Sequence, residues 1–195
     1  MKCHWTDIKE HIKKFIEGGS GLKKFGCFLL FLCVLLPFSA ACSDEGDHTS
    51  KGANEGYTVA QATKDGHVVI EHLSNQFDEI AQGAVKTTNL EKAFAFTEAI
   101  KNGQESQLKV TIFNKNGKSY TNNLTYDGSI IVFNNHYGGY KLPPGKYQCE
   151  TMTPRNDIFY LESCTDKKGQ KISTVIAIIS DSHSFKNAEQ KVVTK

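Results

Sequence analysis

"TTNLEKAFAFTEAIKNGQESQLKVTIFNKNGKSYTNNLTYDGSIIVF", Thr87–Phe133, changes its hydrophobic period once, and that change decides the fold class. In its first part Leu90, Phe94, Thr97 and Ile100 recur every three or four residues. Thr88 and Glu91 stand at capping-box spacing ahead of that stripe and Gly103 sits where a helix C-cap belongs, so a helix is expected here. From Gln107 the period drops to two. "QLKVTIF" alternates, "NKNG" turns it, "KSYTNNLTY" returns, "YDG" turns again and "SIIVF" continues, as in an antiparallel β meander. A helix with one apolar stripe covers such a sheet by lying on its apolar face. The expected class is therefore α+β, a meander of about five to six strands packed by one or two helices.

Toward the N-terminus, "HVVIEHL" (His67–Leu73) is the clearest further strand-like run. Toward the C-terminus, "GGYKLPPG" reads as a loop and is followed by "YQCETMTPRNDIFYLESC", two strand-like segments around the Pro-containing "TMTPRND". "KKGQ" leads into "KISTVIAII", whose continuous apolar stretch predicts a central, well-buried strand. The last residues, "FKNAEQKVVTK", read as a frayed or weakly helical tail. There is no internal repeat.

Far upstream, "FLLFLCVLLPFSAACSDEGD" (Phe28–Asp47) sets a dense apolar run against a cysteine. The run from Phe28 to Ala41 holds 14 residues, short of the roughly 20 that cross a bilayer as a helix. With Lys23 and Lys24 ahead of it and Ser39, Ala40 and Ala41 at its end, it has the layout of a secretory signal peptide, residues 1–41. "FSAAC" resembles a bacterial lipobox, with Ser39 where Leu is usual, and so implies lipid attachment at Cys42; the plainer alternative is an ordinary signal peptide leaving a free thiol. Residues 1–21 are long for a basic n-region. "WTDIKEHIKKFIEG" has helical spacing that suits an interfacial helix, but a translation start at Leu22 leaves a compact signal peptide and makes 1–21 untranslated.

Of the six cysteines, Cys3, Cys27 and Cys33 leave with the signal peptide and Cys42 carries the lipid. Cys149 and Cys164 remain, an even pair in an exported chain, and are assigned to one disulfide across the "TMTPRND" hairpin. Two cysteines without a second Cys/His pair fall short of a zinc site. Residues 42–60 are poor in apolar side chains and read as a lipidated N-terminus and flexible tether, leaving 61–182 as the globular domain and 183–195 as the tail. The whole chain carries +2; without residues 1–41 it holds 17 basic and 18 acidic residues, so a nucleic-acid partner has no basic footprint.

The residues from "DGHVVIEH" through "TNLEKAFAFTEAIKNGQESQLKVTIFNKNGKSYTNNLTYDGSIIVF" resemble small secreted lipoproteins of Gram-positive bacteria built on a domain of unknown function. The resemblance spans about Asp65 to Ile179 and includes a late cysteine pair; His67 stands where Asp is usual and Leu73 where Gly is usual. It implies a secreted, membrane-tethered α+β domain and brings no catalytic residues with it.

Taken by themselves, the chemistry-bearing clusters are thin. His67, Glu71 and His72 have HxxxEH spacing, which is neither HExxH nor HxxEH, and on a strand residue 72 points away from 67 and 71, so no metal site is assigned. Ser180, Ser182 and Ser184 around His183 lack a nucleophile elbow and read as a solvated turn. Asp78 with Glu79, and Asp157 with Glu162, show no pairing that sequence turns into acid–base chemistry. "NNHYGGYKLPPGKY" offers a candidate binding loop, in which His136, Tyr137, Tyr140 and Tyr147 could present aromatic surface to a sugar, peptide or protein. No cofactor is expected. The sequence reads as a monomeric, non-enzymatic domain, anchored to the membrane by lipid, that binds or modulates an unknown protein or wall-polymer partner. A small exported hydrolase acting on wall polymers or peptides is the alternative.

Overall fold

The computed structural model describes residues 56–193; the expectations for the signal peptide, for Cys42 and for most of the tether lie outside the described residues. In chain order the elements are α1 (Val59–Lys64), β1 (Val68–His72), α2 (Phe77–Ala81), β2 (Val85–Thr88), α3 (Glu91–Lys101), β3 (Ser106–Phe113), β4 (Ser119–Tyr126), β5 (Ile131–Asn135), β6 (Gly145–Cys149), β7 (Thr151–Arg155), β8 (Ile158–Asp166), β9 (Lys171–Ile179) and α4 (Ser182–Val193). The class is α+β, built on one strongly curled, mostly antiparallel sheet.

The meander is present as read, β3 to β4 to β5 with each pair antiparallel. The sheet is larger than expected, however, because β2 and β1 extend it to one side in the order β2-β1-β3, with β1 parallel to β3. Parallel pairing needs a crossover, and α3 supplies it by carrying the chain from β2 over to β3. The buried face of α3 is wider than the single stripe in the sequence, taking in Ala93, Phe94, Phe96, Thr97 and Ile100. Curling is the reason. α3 packs against both β3 and β7, so the sheet wraps around it.

The start of α3 differs from the sequence reading. Thr88 is the last residue of β2, Leu90 is the N-cap and no side chain caps the helix, so the expected Thr88/Glu91 capping box does not form. Asn89 takes a left-handed φ of 59° and its side-chain amide donates to the carbonyls of Thr63 and His67, which fixes the strand-to-helix corner against α1. A capping box does form in α1, between Thr58 and Gln61, so the fold reaches back into the 42–60 stretch read as tether.

β6 and β7 hold one register against β8, with Tyr147 opposite Asp166 and Arg155 opposite Ile158, so they are two halves of one strand interrupted at Glu150. "TMTPR" is therefore strand, and the turn is only Asn156-Asp157, both at positive φ (50° and 63°) as a two-residue primed turn requires. In that register Cys149 stands directly across from Cys164, with 4.0 Å between Cα atoms and 2.06 Å between sulfurs. Both are buried.

"KISTVIAII" forms β9, which among the described residues pairs with β8 alone and so lies at the edge of the sheet instead of at the centre as expected. Its second half, Val175 to Ile179, is nonetheless buried in the core, apart from a partly covered Ile176. Within the stretch read as a frayed or weakly helical tail, residues 182–193 form a docked helix. Ser184 N–H donates to Asp181 Oδ1 at 2.8 Å, an N-cap, and α4 follows with Phe185 and Ala188 buried. Phe94, Phe159 and Phe185 meet with ring centroids 4.9 to 5.6 Å apart, tying α3, β8 and α4 together. The first turn of α4 also blocks the β2 edge, since Ser184 Oγ donates to the Thr87 carbonyl at 3.3 Å and the Asp181 carboxylate takes a hydrogen bond from the Thr87 backbone.

Candidate functional site

The candidate binding loop turns inward. Asn122 and Asn135, both buried, reel it in: Asn122 Oδ1 accepts from the amides of His136 (2.8 Å) and Tyr137 (3.1 Å), and Asn135 Nδ2 donates to the Pro143 carbonyl (3.0 Å). Tyr147 Oη donates to the same Pro143 carbonyl at 2.8 Å, and both Tyr147 and Tyr140 are buried. Of the four residues, His136 is exposed and Tyr137 half-buried. A chain that exposes two backbone amides to a sheet interior must satisfy them, and a buried Asn does so at little loss of space.

The inward aromatics complete a cluster with β1. His72, the last residue of that strand, sets Nε2 2.7 Å from Tyr140 Oη, and its ring lies 5.6 Å from Tyr137 and 5.7 Å from Tyr140. Tyr120 and Phe77 flank the tyrosines, and the Lys141 ammonium lies 4.9 Å above the Phe77 ring. Burial lowers the His72 pKa to about 4 and pushes Tyr140 well above the ordinary phenol range. The pair is thus a neutral imidazole–phenol hydrogen bond closed off from solvent, which holds a loop in place.

His67, Glu71 and His72 diverge as strand alternation requires. His72 enters the main core, while His67 lies on the opposite face, where Val69 packs beneath α1 with Ala62 and Phe113. Glu71 pairs with Lys86 at 3.4 Å. The serines around His183 have structural partners: Ser182 contacts Asp157, Ser180 Oγ donates to the Asp181 carbonyl, and Ser184 holds β2; His183 itself is exposed beside Asn187. Ser74 contacts Glu79, and Arg155 pairs with Glu162 at 2.8 Å.

An open cleft of about 400 Å³ lies where β1 and β3 begin, lined by Asp65, Gly66 and His67 from the α1–β1 turn, Lys92, Ala95 and Phe96 from α3, and Ser106 to Lys109 from β3. The ladder between the parallel strands starts only at Val68 opposite Val110, so β3 runs on beside the cleft without a strand on that edge. His67 is buried; its Nδ1 lies 2.9 Å from Thr111 Oγ1, which in turn lies 3.0 Å from Thr121 Oγ1. Its Nε2 has no partner among the described residues. Burial first, then the charge of Lys109 and to a smaller degree of Lys92, hold the His67 pKa below its ordinary value against an opposing pull from Asp65. Asp65 is occupied by Tyr57, whose hydroxyl donates to Oδ2 at 2.6 Å and whose pKa is raised to about 12 by that bond.

Sequence reading passed over this cleft. Its lysines are ordinary surface residues until α3 and β3 bring positions 66, 92 and 109 together, and "KDGH" by itself signals no more than a turn. The chain matches no family model, no curated protein and no solved structure.

Proposed function

We propose that the protein is a membrane-tethered extracytoplasmic lipoprotein, akin to the small Gram-positive lipoproteins its central motifs resemble, whose monomeric domain binds or modulates a partner at the cell envelope without catalysing a reaction. The observation that carries the location is the Cys149–Cys164 pair at bonding distance, since such a bond persists in an oxidising compartment. The short apolar run ending at "FSAAC" supplies export and an anchor in one segment. That run is shorter than the roughly 20 residues a bilayer-spanning helix needs, and a lipid at Cys42 is the means of attachment proposed. For the non-enzymatic character the support lies in what the reactive side chains are doing: Ser180, Ser182 and Ser184 hold corners of the fold and His72 bonds an inward tyrosine.

Metabolic labelling with a fatty-acid analogue tests the anchor. Wild type should incorporate label and sediment with membranes; Cys42→Ala should do neither, or should accumulate as unprocessed precursor. Equal labelling of both proteins refutes the assignment.

A further inference from the structure

We propose that the cleft between the Asp65–His67 turn, α3 and the start of β3 binds a phosphate monoester of a small alcohol, with Lys92, Lys109 and His67 Nε2 holding the phosphate and an apolar floor receiving the carbon skeleton. This goes beyond the anchored binding domain proposed above and does not depend on the anchor.

The charges come first. Lys92 and Lys109 line the cleft and neither has an ion-pair partner among the described residues, where the lysine pairs are Lys86 with Glu71 and Lys101 with Glu98. The acid in the lining, Asp65, already accepts from Tyr57. Two ammonium groups facing one occupied carboxylate leave the cleft net positive, and lysine meets phosphate as a mobile point charge.

Gly66 brings one of these charges in. Its φ is 78°, and a Cβ built there would lie 2.4 Å from Lys92 Nζ, so the ammonium rests over the glycine where any side chain would have displaced it. His67 adds a directed donor. It is only 8% exposed and its Nδ1 lies on Thr111 Oγ1. In the tautomer in which Thr111 donates to Nδ1, the ring proton sits on Nε2, the nitrogen without a partner among the described residues, in a side chain that lines the cleft. A ring already held through its Nδ1 presents the other nitrogen in a fixed direction, which suits it to contact a bound oxyanion.

Size selects the ester over the bare ion. A volume near 400 Å³ exceeds what a phosphate fills, and Ala95, Phe96 and Leu108 give the remaining wall an apolar character suited to a short carbon chain.

The test is titration of the full chain, labelled with ¹⁵N in its imidazoles, with glycerol 3-phosphate, inorganic phosphate, acetate and glycerol. Glycerol 3-phosphate should bind saturably, move the His67 nitrogen resonances and leave those of His72 unchanged. It should bind more tightly than inorganic phosphate, while acetate and glycerol should not saturate. Lys92→Ala combined with Lys109→Ala should weaken binding by roughly tenfold or more, as expected when two charge-assisted contacts go. Both side chains are exposed, and an unchanged circular dichroism spectrum confirms the fold of the variant. His67→Gln should weaken binding less. Absence of saturable binding, equal binding of acetate, or undiminished affinity in the double lysine variant overturns the proposal.

Discussion

Replacing His72 by Gln should flatten the acid limb of the protein's stability curve. His72 is 5% exposed, and the groups that face it, Tyr137 and Tyr140, carry no charge at the pH of interest. Its pKa in the folded protein is about 4, against an ordinary value of 6.5. Above pH 6.5 both folded and unfolded chains hold a neutral ring, and the group contributes no pH dependence. Between 6.5 and about 4 the unfolded chain takes up a proton that the folded protein refuses, so stability falls as pH falls. Below about 4 both forms are protonated and the loss from this group is complete. Spread over that window, the loss amounts to roughly 3 kcal/mol. His67 acts in the same direction, and so the informative quantity is the difference between wild type and variant, not the raw wild-type curve. Urea unfolding from pH 7 down to about 4 gives it. The variant should be less stable near neutral pH, because Tyr140 loses a well-placed partner, by about 1 kcal/mol. The two curves should then converge and cross as pH drops, because the roughly 3 kcal/mol that the wild type loses over the window exceeds the variant's initial deficit of about 1 kcal/mol. Curves that stay parallel across the window would refute a neutral, desolvated His72.

Replacing both Cys149 and Cys164 by Ala should lower stability by about 3 kcal/mol, the chain-entropy value for a separation of 15 residues, with far-UV circular dichroism preserved. Each single replacement should yield disulfide-linked dimers in an oxidising medium, visible on a non-reducing gel. Phe185→Ala removes the ring that joins α4 to Phe94 and Phe159 and should cost about 3 kcal/mol, with increased amide exchange in α4 and β2; a loss below about 1 kcal/mol would mean that α4 is not docked. Gly66→Ala forces a side chain to a φ of 78° and should destabilise by about 1 kcal/mol, most of it backbone strain because the Lys92 ammonium in its way can move aside; chemical denaturation reads it.

The sequence by itself determined the parts governed by near neighbours. The drop in period at Gln107 gave α3 and the β3–β4–β5 meander, because alternation and helical spacing are set within a few residues. The even cysteine pair and the flanking strand-like segments placed Cys149 near Cys164 for the same reason, although the turn proved to be two residues and not seven. What tertiary structure alone decided involves positions far apart along the chain. "KISTVIAII" has the composition of a central strand, yet among the described strands β9 lies at an edge, since curling of the sheet buries its second half in the core with β8 as its one strand partner there. "SDSHSFKNAEQKVV" looks polar, and only the meeting of Phe185 with Phe94 and Phe159 makes it a docked helix. The aromatic loop pointed inward because two asparagines on neighbouring strands satisfied its amides, a contact no local pattern announces. In the same way the cleft exists because α3 crosses over and lays β3 parallel to β1. That pairing sets residues 66, 92 and 109 side by side, and a long-range crossover leaves no periodicity in the sequence to betray it.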